Sequence, residues 1–167
     1  HKAIRCALDH LAEGGVYHAI ELMPENFKIL EHNVSLNALS ETIKCHNHAI
    51  SDKDGEVSVF SKGRQRSGVV PIQNVGEDHQ LSMPSMRLET FLRLHQIEEV
   101  DFCYVTVNGA ELGVLQGCGS SLKRIKHIRI VCKYEVDGVD LGPQCSELLE
   151  RYGFTVTRHN DTIDGHN

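Results

Sequence analysis

Short apolar stretches alternate along the chain with longer segments whose apolar side chains recur at helical spacing. "GVYHAIEL" (15–22) reads as a strand. "PENFKILEHNVSLNAL" (24–39) follows as a helix with Pro24 at its first position, Glu25 in the first turn, and Phe27, Leu30 and Val34 on one side. "IKCHNHAI" (43–50) predicts a second strand, "SDKDGE" (51–56) is turn chemistry, and "VSVFS" (57–61) resumes extended structure. "SMRLETFLRLHQI" (85–97) predicts a helix that buries Leu88, Phe91, Leu92 and Ile97. "VDFCYVTV" (100–107) has no polar alternation, the pattern of a central parallel strand covered on both faces.

In "GAELGVLQGCGSSLKRI" (109–125), Leu115, Cys118, Leu122 and Ile125 recur at intervals of three and four, and Glu111 falls on the same line one turn before Leu115. "HIRIVCKYE" (127–135) is another strand, "GPQCSELLERYG" (142–153) a helix ended by Gly153, and "FTVTRHN" (154–160) a last strand. Strands alternating with helices predict an α/β fold of Rossmann-like type, a mostly parallel sheet with helices on both faces. No internal repeat or low-complexity segment marks a boundary, so residues 1–167 read as a single domain. "SKGRQRSG" (61–68) and "QNVGEDHQ" (73–80) read as exposed loops, with Arg64 and Arg66 as solvated positions rather than anion ligands.

Composition narrows the function classes. The net charge of −6 argues against a nucleic-acid backbone as the main partner, because phosphate binding depends on a basic surface. No stretch is apolar and long enough to span a membrane, and no secretory segment opens the chain, so a cytoplasmic protein is expected. The six cysteines are scattered, four of them within hydrophobic segments, and are expected to be thiols rather than disulfides. "KCHNH" (44–48) contains Cys45, His46 and His48, but a strand turns Cys45 away from both histidines and no second ligand pair follows; no metal is expected.

In open parallel sheets, ligands bind beyond the carboxyl ends of the strands. That rule nominates Glu21 after the first strand, Ser51 and Asp52 after the second, and the corner Asn108–Glu111 after the hydrophobic strand. A carboxylate at a strand end can accept hydrogen bonds from both hydroxyls of a ribose, and Glu21 fits that role; it fits equally a solvated carboxylate beside a helix N-terminus.

The order "AIELMPENFKILEHNVSLNAL", "CHNHAISDKDGEVSVF", "MRLETFLRLHQIEEVDFCYVTVNGAELGVLQG" and "IRIVCKYE" resembles the FkbM-type family of S-adenosylmethionine-dependent methyltransferases over residues 12–135. The family's third stretch leads to a "Lys-Ile-Asp-Val-Glu-Gly-Ala-Glu" corner. The resemblance implies methyl transfer from S-adenosylmethionine to an oxygen of a small molecule. By the same resemblance Glu21 holds the ribose, Ser51 and Asp52 lie by the adenine, and Asn108 and Glu111 orient the methyl acceptor. A non-catalytic fold serving as a binding or assembly module is the alternative.

Two departures from the family stand out. No "Asp-x-Gly-x-x-x-Gly" turn is present, and "HKAIRCALDHLAEGG" (1–15) corresponds to the helix that should follow it. A sheet without its usual first, central strand is therefore expected, in a chain that either begins after that turn or naturally lacks it: either 15–22 pairs directly with 100–107, or a second copy completes the sheet as a homo-oligomer. At the corner, Tyr104, Thr106 and Asn108 stand where the family has Lys, Asp and Glu, so an ionic row has become neutral while Gly109, Ala110 and Glu111 persist.

Overall fold

The computed structural model of the protein describes residues 4, 11–12, 14–61, 67–68 and 80–167. Most of the opening segment 1–15, the stretch 73–79, and Arg64 and Arg66 lie outside the described residues. The chain divides into two compact units, His1–Ala49 and Ile50–Asn167.

In the first unit, β1 (Tyr17–Ile20) and β2 (Ile43–His46) pair in parallel, with Tyr17 opposite Ile43 and Ile20 opposite His46. The crossover between them is α1 (Pro24–Leu36), whose Pro24 sits at the helix start where no N–H is required. Leu30 and Val34, one turn apart, are buried with Ile4, Ala19 and Ile43, and Tyr17, Leu39 and Cys45 pack around them. Burial of one such aliphatic side chain stabilises by roughly 1.5–3 kcal/mol.

The strand expected over 43–50 is two strands. β2 ends at His46, and β3 (Ala49–Ser51) joins a different sheet of order β3-β6-β4-β5, with β4 (Gly55–Ser61), β5 (Ser67–Gly68) and β6 (Gln80–Arg87). Asn47 breaks the run: its Nδ2 donates to the carbonyls of Glu21 and Leu22, each at 2.9 Å. The helix expected over 85–97 is α2 (Leu88–Leu94), because Ser85 is already paired with Gly55 in the antiparallel β4–β6 ladder.

The other sheet has the order β7-β8-β10-β9, made of β7 (Val100–Val105), β8 (Ile125–Val131), β9 (Thr155–His159) and β10 (Thr162–His166). α3 (Glu111–Cys118) and a 3-10 turn (Gly119–Arg124) connect β7 to β8, and α4 (Gly142–Arg151) precedes β9. Gly119, at φ 51, divides what was expected as one helix. Ile128, Ile130, Leu115, Leu122, Leu149 and Ile163 form the buried layer.

The mostly parallel arrangement does not hold among the described residues. β1–β2 and β7–β8 are parallel, but β4–β5, β4–β6, β8–β10 and β9–β10 are antiparallel. Helical crossovers return the chain in its original direction, whereas the turn at Asn160–Asp161 reverses it at once. β7, expected at the centre, is the end strand of its sheet among the described residues, with Asp101 and Phe102 exposed. The anticipated pairing of 15–22 with 100–107 falls between the two units; within the first, β1 pairs with β2.

Two glycines govern how α3 packs. A Cβ at Gly117 would run into the carbonyl oxygen of Ser51, while one at Gly113 would stand 3.9 Å from the Asp52 nitrogen, an ordinary contact. Gly117→Ala is therefore expected to destabilise by about 1–3 kcal/mol through overpacking. Gly113→Ala is expected to be neutral or to stabilise by up to about 1 kcal/mol through helix propensity. Urea midpoints for the two variants test this contrast, and equal effects would remove the close approach at Gly117 as its cause.

Candidate functional site

The turn after β3 is built from polar side chains that serve its own backbone. Ser51 is 4% exposed, and its hydroxyl meets that of Ser85 at 2.5 Å and donates to the Lys53 carbonyl at 3.1 Å. The Ser85 hydroxyl reaches the same carbonyl at 3.0 Å. Asp54 then ties the turn to the start of α2. Its Oδ1 accepts the Arg87 backbone N–H at 2.9 Å, and its Oδ2 accepts the Arg87 guanidinium at 3.1 Å and the Thr90 hydroxyl at 3.0 Å. The Arg87 N–H, ahead of the guanidinium and the Thr90 hydroxyl, holds the Asp54 carboxyl below the usual carboxylate range. Asp52, between these anchors, is exposed and accepts no hydrogen bond from the described residues.

The corner after β7 turns sharply because two consecutive residues are left-handed, Asn108 at φ 50 and Gly109 at φ 93. Asparagine tolerates this conformation better than most side chains, and glycine pays no steric penalty there. Ala110 is the N-cap of α3, and Glu111, its first residue, has no solvent exposure at all. Its Oε2 accepts the Gly109 N–H at 2.9 Å, while Oε1, also buried, has no hydrogen-bond partner among the described residues. Burial pushes the Glu111 carboxyl up, opposed by the backbone N–H groups of Glu111, Gly109, Val107 and Asn108. The carboxylate thus closes the turn from beneath, and Asn108 stands exposed on top of it.

Two thiols share this electrostatic neighbourhood. The Cys132 and Cys145 side chains are hydrogen-bonded to each other, which draws the Cys132 thiol down and pushes the Cys145 thiol up. Asp140 caps α4 by accepting the Gly142 N–H at 2.8 Å and pairs with Arg158. Cys45, Cys103, Cys118, Cys132 and Cys145 are all free thiols; Cys6 lies outside the described residues.

In the first unit, Glu21 ends β1 half-buried. Its Oε1 accepts the Met23 N–H at 2.9 Å at the approach to α1. His46 Nε2 lies 3.0 Å from His18 Nδ1, with the two rings 11° apart and their centroids separated by 5.2 Å. That centroid spacing is what an in-plane N–H···N hydrogen bond produces, so these nitrogens serve each other. No group of three or more ligands able to hold a metal is found among the described residues.

The nominated residues therefore divide by unit. Ser51, Asp52, Asn108 and Glu111 belong to the larger unit, where Asp52 lies against α3 and Glu111 begins it; Glu21 belongs to the smaller one. Reading by residue type missed the supports. Asp54 was visible only as one more turn residue, and the Gly113/Gly117 pair was visible as a one-turn glycine spacing in "GVLQG".

The raised Glu111 pKa fixes the sign of a pH effect. Its contribution to stability is complete below the ordinary glutamate range and is lost as pH rises through the elevated folded value. Glu111→Gln, neutral throughout, lacks this loss. The wild type is expected to lose stability relative to the variant as pH climbs from acid to neutral, followed by urea midpoints. A difference that stays constant with pH would contradict the desolvation of this carboxylate.

The model of the methyltransferase FkbM domain matches residues 3–156. No curated protein matches the chain. The crystal structure of a methyltransferase FkbM from Methylobacillus flagellatus KT is similar in fold, with a TM-score of 0.55 at 15% sequence identity. The match covers 91% of this chain and 36% of that one, so the chain spans about a third of that protein's length. No helix among the described residues is long and apolar enough to cross a membrane. With the domain match extending over most of its length, the chain belongs to the methyltransferase FkbM family.

Proposed function

We propose that this chain is an S-adenosylmethionine-binding domain whose activity is methyl transfer to an oxygen of a small molecule. The observation that carries the reading is the state of Asp52: an exposed carboxylate without a partner among the described residues, on a turn locked by Ser51, Ser85 and Asp54. A rigid turn that presents one unsatisfied acceptor suits the donor edge of an adenine, since little ordering entropy is lost on binding. Ser51 contributes through the turn, its hydroxyl being engaged inside the protein.

S-adenosylmethionine, when bound, supplies an electrophilic methyl group on a sulfonium. The chain's own residues have to hold the acceptor in line, the larger part of catalysis for such a displacement. Asn108, exposed at the corner, offers an amide that can both donate to and accept from an acceptor hydroxyl. Glu111 acts on it indirectly by fixing Gly109, and with it the direction in which Asn108 points. Glu21, whose Oε1 accepts the Met23 N–H that fixes the direction of its carboxylate, is proposed as a ribose-binding residue on the family resemblance alone.

Isothermal titration with S-adenosylmethionine tests the reading, with each variant measured on its own. Removing a hydrogen bond to a charged group costs about 1.5–3 kcal/mol, so Asp52→Ala and Glu21→Ala should each weaken binding on the order of 10- to 100-fold. Asn108→Ala should leave cofactor affinity within about threefold while reducing methyl transfer. Absence of binding to the wild type, or unchanged affinity in both carboxylate variants, would overturn the assignment.

A further inference from the structure

Asn108 and Gly109 form the only Asn-Gly step in the chain, and it lies at the tip of the corner described above. An asparagine followed by glycine is the pair in which the backbone nitrogen most readily attacks the side-chain amide carbon, because no Cβ on the second residue hinders ring closure. The difficulty in that reaction is the poor nucleophilicity of an amide nitrogen until its proton is removed. Here the proton in question is already committed to a carboxylate. The Gly109 N–H donates to Glu111 Oε2 at 2.9 Å, and Glu111 has no solvent exposure. A desolvated carboxylate holds a proton more strongly than one in water, and burial raises this one.

We propose that Asn108 is a self-modifying site, in which the Gly109 nitrogen closes on the Asn108 side chain with Glu111 as general base and water opens the ring to aspartate or isoaspartate. The Gly109 N–Cγ bond forms and the Cγ–Nδ2 bond breaks. The Gly109 proton passes to Glu111 Oε2 and from there to Nδ2, which leaves as ammonia. Hydrolysis then consumes one water. Opening at the side-chain carbonyl gives aspartate, and opening at the backbone carbonyl gives isoaspartate. No oxidant or reductant takes part.

The exposure of Asn108 lets ammonia leave and water enter, while the buried Gly109 and Glu111 keep the base out of bulk solvent. Ring closure and opening give the corner a negative charge directly above a buried carboxylate. An isoaspartate also lengthens the backbone before Gly109 and displaces the N–H that Glu111 accepts. The consequence of the new charge for a methyl donor rests on the reading under Proposed function; the conversion itself does not.

Purified protein aged at neutral pH in heavy-oxygen water, then mapped by peptide mass spectrometry, tests the proposal. Conversion with heavy-oxygen incorporation is expected at residue 108 in the folded wild type. Glu111→Gln should slow it at least about 100-fold when folded, the lower end of the range for loss of a general base. In denaturant, wild type and Glu111→Gln should convert at the same rate. If circular dichroism finds Glu111→Gln unfolded, Glu111→Asp, which withdraws the carboxylate by one methylene, takes its place with the same expectation. Retention of the amide in the folded wild type while the denatured chain converts, or equal folded rates in wild type and variant, would overturn it. S-adenosylmethionine titration of aged and fresh protein is read separately, so failure to bind counts against the function and not against the conversion.

Discussion

The carbonyl of Ser51 presses against α3 where Gly117 has no side chain, and the geometry of the larger unit follows from that contact. A helix is stiff and rises about 1.5 Å per residue, so fixing it at Gly117 also fixes its first residue, Glu111, roughly 9 Å away along the axis. The turn carrying Asp52 and the corner carrying Asn108 are consequently registered against the same rod. Neither depends on a flexible loop for its position. Side chains alone would not achieve this, because any Cβ at Gly117 would hold the backbone of the turn away from the helix.

Three carboxylates in this unit show how one chemical group is given different work by its surroundings. Asp54 receives three hydrogen bonds and stays ionised, a structural anchor. Glu111 accepts the Gly109 N–H on Oε2 and is removed from water, so its charge is held at a cost. Asp52 is left in solvent with no hydrogen-bond donor on it among the described residues. The division follows from backbone placement: Asp54 faces the start of α2, Glu111 lies on the apolar line of α3, and Asp52 caps nothing.

Much of this was legible in the residues. Pro24, Leu30 and Val34 announced α1, and the alignment of Glu111 with Leu115 already placed it on the buried side of its helix. The misreadings have definite causes. "SMR" (85–87) carries helix-compatible side chains, yet its backbone is taken by the ladder with β4 or by Asp54, and long-range pairing outweighs local propensity. "TIDGH" (162–166) is too polar and too short to read as a strand. It is held by its ladder with β8, by the buried Ile163 and by Gly165, whose missing side chain makes room for Ile128 and Phe154, while the Arg129–Asp164 pair spans the exposed face. The direction of strand pairing was equally hidden, since apolar density says that a strand is covered and not which neighbour covers it. The positive φ at Asn108 was implicit in the Asn-Gly step, but the carboxylate beneath it required coordinates.

The β9–β10 hairpin has a consequence for how the sheet comes together. Its strands are joined through Asn160 and Asp161, and β10 then lies antiparallel to β8. Bringing β7 beside β8 instead requires closing the whole stretch from Thr106 to Arg124. The entropy lost in closing a loop grows with its length, and a parallel pair gains little until its crossover helix is in place. The β9–β10 hairpin can therefore form from local contacts, while the conformational cost of assembling this unit falls on the two closures onto β8, one over 132–161 and one over 106–124, the second carrying Asn108.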